Sequence, residues 1–138
     1  GIVCKAEALP ATEFYPRAAR GEFSLGLSGW GSVTGETSYS LRLLLCTPDP
    51  SGGFGGANRG GYSNRQFDAL VREAVALMDD DRRRALLEEA SAIAMADVAI
   101  APICARATTW ATKRGIRYVA QANGETLGKA ALRTEDGG

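Results

Sequence analysis

The residue types that carry most enzymatic chemistry are thinly represented in this chain. It contains no histidine, so a nucleophilic triad or imidazole acid–base catalysis lacks its base. The densest carboxylates are Asp79-Asp80-Asp81 and Glu88-Glu89. Beside Arg82, Arg83 and Arg84, on helical stretches, they read as solvated and locally neutralised charge. Cys4, Cys46 and Cys104 are too widely spaced for the close pairs of zinc sites or redox dithiols, and they read as small core residues. These inventories predict no catalytic residue, no metal site and no cofactor.

Two glycine-rich segments offer a different kind of chemistry, in which backbone groups meet a ligand. The first, Gly52-Gly53-Phe54-Gly55-Gly56-Ala57-Asn58-Arg59-Gly60-Gly61, matches neither phosphate-loop motif and is followed by no lysine. It reads as a flexible loop, although a small α/β enzyme or nucleotide-binding domain built on it is the competing interpretation. The second, Gly29-Trp30-Gly31-Ser32 followed by Val33, ends an apolar run. In open α/β sheets ligands lie outside the carboxyl ends of strands. The glycines would let a ligand approach the backbone, and Trp30 adds a broad apolar plate with one donor. A core tryptophan at a tight turn is an equally good reading of the same residues.

The elements that would position this turn follow from apolar spacing. Residues 2–9 and Phe23 to Trp30 form short apolar runs bounded by turn residues, the signal of strands. Between them, Thr12 to Arg20 predicts a helix closed by Gly21, with Pro16 tolerable only near its first turn or at a kink. Tyr39 to Cys46 predicts a helix with Thr37 or Ser38 as cap, and the glycine-rich stretch from Pro48 to Gly61 a long surface loop. Ser63 with Gln66 three residues on has the form of a capping box. A stripe of Phe67, Leu70, Val71, Ala74, Leu77 and Met78 follows, and Asp79-Asp80-Asp81 suits the start of a further helix with Leu86, Leu87, Ala90, Ile93 and Ala94 inward. Val98 to Cys104 reads as a buried strand, and Trp110 and Ile116 to Val119 as short ones.

With 138 residues, 45% hydrophobic and 23% charged, the chain has the composition of one globular domain. Lys plus Arg and Asp plus Glu stand at 16 each, so no net field draws it to nucleic acid, and no nucleic-acid partner is expected. The opening residues carry neither an initiator Met nor the pattern of a secretion signal. They read as the middle of a longer protein.

Three stretches carry a resemblance to a known family. They are Arg20-Gly21-Glu22-Phe23-Ser24-Leu25 leading to Gly29-Trp30-Gly31-Ser32, then Ala57-Asn58-Arg59-Gly60-Gly61-Tyr62-Ser63-Asn64 leading to Phe67-Asp68-Ala69-Leu70, and Thr109-Trp110-Ala111-Thr112-Lys113-Arg114-Gly115-Ile116. In order and separation they resemble the C-terminal part of the peptide, nickel and opine class of solute-binding proteins of ABC importers. The resemblance runs from about residue 2 to residue 133.

It implies an α/β fold, part of the C-terminal lobe of a two-lobed periplasmic binding protein, with strands flanked by helices. Residues 1–110 would form part of that lobe, 111–133 would cross back to the other lobe, and 134–138 would be a disordered tail. It further implies a periplasmic or otherwise extracytoplasmic location and no enzymatic activity. The partners implied are a small solute (peptide, glutathione-like or opine-like) and the importer's membrane permease, with a homodimer as a consequence of truncation. Ligand contacts would come from Gly29, Trp30, Gly31, Ser32 and Val33. Peptide receptors of the family carry an aspartate three residues after the tryptophan, which pairs with the peptide's amino terminus, whereas position 33 here is valine. A buried ammonium without its counter-charge costs several kcal/mol. Either Glu36 substitutes, or the ligand carries no free amine at that point.

Overall fold

In the computed structural model, which describes residues 1, 3–105, 107–121 and 123–134, the best-defined helices begin at side-chain caps. The Asn64 side chain accepts hydrogen bonds from the backbone N–H groups of Gln66 (2.9 Å) and Phe67 (3.2 Å). These are donors that the first turn of a helix cannot satisfy itself. Helix α3 therefore starts one residue later than a Ser63 cap would place it, at Arg65–Ala76. Ser63 instead meets Thr47, hydroxyl to hydroxyl at 2.8 Å. Asp79 caps α4, Asp80–Ala96, through the N–H of Arg82 at 2.9 Å.

Two further helices are α1, Ala11–Ala19, and α2, Thr37–Leu44. Neither Thr37 nor Ser38 caps α2; Glu36 occupies the cap position without a side-chain bond. Pro16 sits in the interior of α1, where its missing N–H leaves one rung of the ladder unmade.

Helices α2, α3 and α4 enclose the core. Phe67, Val71, Ala74, Leu87, Ala90 and Ala94 interlock with Leu41, Leu45 and Cys46. Phe67 alone gains roughly 1.5–3 kcal/mol from leaving water. Leu70, Leu86 and Ile93 pack at the margin of this cluster. Met78 does not join it and is 93% exposed, because the helical stripe ends with Ala76 and the chain turns extended at Leu77.

α1 and α4 end in the same way. In each, the residue after the C-cap is left-handed and its N–H and the next one return to the last turn. In α1 this residue is Gly21 (φ 70°), with Gly21 N–H on Ala18 O at 3.0 Å and Glu22 N–H on Arg17 O at 3.2 Å. In α4 it is Val98 (φ 53°), with Val98 N–H on Met95 O at 3.2 Å and Ala99 N–H on Ala94 O at 2.9 Å. A β-branched residue is strained in that conformation.

The strands differ most from expectation. Residues 3–9, Phe23 to Trp30 and Val98 to Cys104 form no strand, since an extended run becomes a strand only where a second run offers a hydrogen-bonding ladder. Most of their side chains stay in solvent: Leu25 and Leu27 are each 81% exposed and Ile103 77%, while Phe23 stacks on Phe14 and Ala99 packs against the core. Of the three cysteines, Cys46 is buried as expected, but Cys4 and Cys104, which lie in these runs, are exposed. The sheet of the described residues is one antiparallel pair, β1 (Ile116–Tyr118) with β2 (Ala131–Arg133), in the register Ile116 to Arg133 and Tyr118 to Ala131. The Trp110 ring lies 5.3 Å from Tyr118, and its N–H donates to Thr126 Oγ1 at 2.9 Å. Residues 135–138 of the expected tail, and Ile2 of the first run, lie outside the described residues.

Candidate functional site

Trp30 ends an irregular segment that runs on from α1, not a strand. No strand end therefore presents Trp30, contrary to expectation, and what marks the segment is its environment. The indole stacks on Tyr39 with centroids 5.8 Å apart and planes inclined by 26°, while its Nε1–H donates to Ser40 Oγ at 3.1 Å. Both partners belong to α2. Trp30 is nevertheless 43% exposed, so it is not a core residue. Its donor is spent inside the chain, and it presents an aromatic surface.

On either side, a methyl group placed on Gly29 or Gly31 would meet nothing within 4 Å. Neither glycine is demanded by packing within the chain, and the backbone there is open to approach. Ser32 turns inward: its hydroxyl donates to the Glu36 carbonyl at 3.1 Å, and the Gly35 N–H closes the turn on Ser32 O at 3.4 Å. Val33 stands at the tip, 60% exposed. Gly29 to Val33 thus form one irregular stretch that leads into the Ser32–Gly35 turn, with Trp30 braced by α2.

Glu36 is not free beside this turn. Its carboxylate lies 3.2 Å from Arg83 Nε on α4, and Arg83 also reaches Asp80 at 2.8 Å. A cleft of about 580 Å3 opens between the start of α2 and α4, lined by Glu36, Asp80, Arg83, Arg84 and Glu88 among others. Trp30 is not part of its lining. The two features share only the loop, and within the cleft Arg83 is already paired with both Glu36 and Asp80. Sequence reasoning missed Arg83 as a neighbour of the turn; placed in a run of three arginines, it gave no signal of its distant partner. Tyr39 and Ser40 were legible as helix residues, but not as the support of Trp30.

The glycine-rich loop is tied to the rest of the fold over part of its length. Gly55 and Ala57 donate their N–H groups to Arg42 O (2.8 Å) and Leu43 O (2.9 Å), and Asp49 and Phe54 bridge each other. Asn58 clamps the far side, its Nδ2 donating to Cys46 O (2.9 Å) and Tyr62 O (2.7 Å) while its Oδ1 accepts from Tyr62 N–H (3.2 Å). The Arg72 guanidinium lies 4.1 Å from the Phe54 ring centre and pairs with Asp49 at 3.0 Å. Several of the loop's backbone donors, those of Gly52, Phe54, Gly55, Ala57 and Asn58, are thus consumed by the fold.

The Cys46 thiol is pushed up to about 12, by burial first and by the nearby Asp68 carboxylate second. It is therefore a packing residue rather than a nucleophile. Among the described residues no group of three metal-binding side chains comes together, and no helix is long and apolar enough to cross a membrane.

These features define a mixed helical and β chain with an exposed aromatic turn carried on a three-helix core. No family model and no solved structure matches the chain. Over 81 residues it is 32% identical to Heme-binding protein A of Haemophilus influenzae, a stretch that covers 59% of this chain and 14% of that protein. The chain matches only a small part of that relative's length.

Proposed function

We propose that this chain is part of an extracytoplasmic solute-binding protein of an ABC importer, and that Gly29, Trp30, Gly31, Ser32 and Val33 form one wall of its solute site. The observation that carries this reading is the exposed face of Trp30, held by Tyr39 and Ser40 and flanked by glycines with open space. Such a wall suits a small solute that stacks on the ring and bonds to backbone groups. It suits catalysis poorly, because the turn itself carries no acid or base. The similarity to a protein named for binding agrees with a capture role.

The solute class is peptide or a related molecule, glutathione-like or opine-like, delivered to a membrane permease. Residues 1–110 would belong to one lobe, and 111–133 would lead toward the other. The competing enzyme or nucleotide-binding interpretation would rest on the loop from Gly52 to Gly61, which matches no phosphate-loop motif and is followed by no lysine, and in which the donors of Gly55 and Ala57 are already occupied.

One wall without its opposite binds weakly, so the test is saturation-transfer NMR, which detects short-lived complexes. The panel is dipeptides, amine-blocked dipeptides, glutathione, an opine and haem, the last because the relative's name specifies it. Transfer to one of the first four that is lost in Trp30→Ala is the expected result. Transfer to none of them, or transfer indifferent to Trp30→Ala, would sink the reading.

A further inference from the structure

Between Gly29 and Tyr39 the chain carries one ionisable side chain, Glu36. If a solute on the Trp30 face brought an ammonium group, Glu36 is the residue of this loop that could neutralise it. The structure commits that carboxylate elsewhere. Arg83 Nε stands 3.2 Å from Glu36 Oε1, and Arg83 is itself held toward the loop by Asp80, 2.8 Å from its Nη2. Glu36 is also held through its backbone. Glu36 N–H donates to Thr34 Oγ1 at 3.2 Å, and its carbonyl accepts from Ser32 at 3.1 Å. The side-chain donor nearest the ring is also spent, since the indole N–H is on Ser40. What remains for a solute is an aromatic face, the exposed Val33 side chain and uncharged backbone.

We infer that Arg83 is a specificity-determining residue of the Trp30 wall: by holding Glu36 it keeps the wall neutral, so the site selects solutes whose amine is blocked or absent there. Arg83 does not touch the solute; it is a positioning residue, acting through Glu36. The inference rests on the proposed role of the turn as a solute wall. Removing Arg83 leaves an unpaired carboxylate on the loop, and a carboxylate without a counter-ion attracts an ammonium. Selectivity should therefore reverse in Arg83→Gln, a gain that mere destabilisation would not produce.

The experiment is saturation-transfer NMR on the whole chain with two probes, Ala-Phe and N-acetyl-Ala-Phe, for the parent protein, Arg83→Gln, Arg83→Lys and Glu36→Gln. Circular dichroism confirms that each is folded. The parent and Arg83→Lys, which keeps a cation, are expected to prefer the acetylated probe by roughly tenfold, an easily read difference. Arg83→Gln is expected to shift toward the free amine, and Glu36→Gln to keep the parent's preference. An Arg83→Gln preference unchanged from the parent overturns the inference, and should that variant not fold, Arg83→Ala replaces it with the same reading. Free-amine preference in the parent that disappears in Glu36→Gln overturns the inference while leaving the capture role intact. Transfer to neither probe overturns the solute wall, and the inference with it.

Discussion

The Tyr62 hydroxyl donates to Asp97 Oδ2 at 2.7 Å, and Asn64 Nδ2 donates to the same oxygen at 2.9 Å. One carboxylate at the end of α4 thus ties down both the exit of the glycine-rich loop and the cap of α3. The same bonds couple protonation to folding. They hold the Asp97 carboxyl below its ordinary value, Tyr62 first and Asn64 second. Burial and Asp97 push the Tyr62 phenol up to about 12.

The two directions give opposite pH dependences. Asp97 contributes stability that is present above the ordinary carboxyl value of 3.8 and is lost as pH falls through its lower folded value. Tyr62 and Cys46 contribute stability that is complete below their ordinary values of 10.0 and 9.0 and is lost as pH rises toward about 12. Chemical denaturation across pH should show losses at both ends. Tyr62→Phe should reduce the acid loss and part of the alkaline one, leaving the Cys46 share. An unchanged profile in Tyr62→Phe would mean that the bond to Asp97 does not form in solution.

The cap of α3 can be tested by comparing neighbours. Asn64→Ala removes the acceptor for two N–H groups and the donor to Asp97 and should cost about 1 kcal/mol or more, whereas Asn64→Asp keeps the cap acceptor while losing the donor to Asp97, so the difference between the two reports the cap. Ser63→Ala removes only an exposed hydroxyl contact with Thr47 and should cost less. Urea melts of the two alanine variants decide the register, and the reverse order would restore Ser63 as the cap.

Gly55 and Gly53 are both left-handed, at φ 67° and 70°, yet their surroundings differ. A methyl group at Gly55 would lie 2.5 Å from Cys46 O and 2.6 Å from Pro48, whereas at Gly53 it meets nothing. Gly53→Ala should cost roughly 1 kcal/mol from conformation alone. Gly55→Ala should cost clearly more, because backbone must move as well. Equal midpoints in thermal melting would contradict the tight seat of Gly55 against the end of α2.

Val98 occupies the place at the end of α4 that Gly21 occupies at the end of α1. Val98→Gly relieves the left-handed strain of a β-branched residue and should stabilise the chain by about 1 kcal/mol, visible as a raised melting temperature. A loss of stability would show that the exposed valine side chain makes contacts worth more than the strain.

Much of the helical core was legible because its signals are local. Phe67, Val71 and Ala74 declare a period within a dozen residues, and Asp79 marks a start wherever the rest of the chain lies. Around Leu25, Val98 and Ile103 apolar character predicts strands, but strand formation depends on a distant partner, which apolar character alone does not supply. Cys4 and Cys104 lie in such runs and are exposed for the same reason. At the Trp30 turn, residue type pointed to an aromatic surface. The pairing of Glu36 with Arg83 joins a loop to a helix across two intervening elements, and neither residue's neighbours hint at it.

The clamp made by Asn58 bears on how the loop from Pro48 to Gly61 could change over time. A loop of this composition would ordinarily absorb added residues at small entropic cost. Here one amide side chain spans from the end of α2 at Cys46 to Tyr62, which fixes the separation of the two ends. An insertion between Asn58 and Tyr62 would break the span, whereas one near Gly53, with open space around it, would leave it intact. Length variation among relatives should therefore concentrate at the tip of this loop and spare its last four positions before Tyr62.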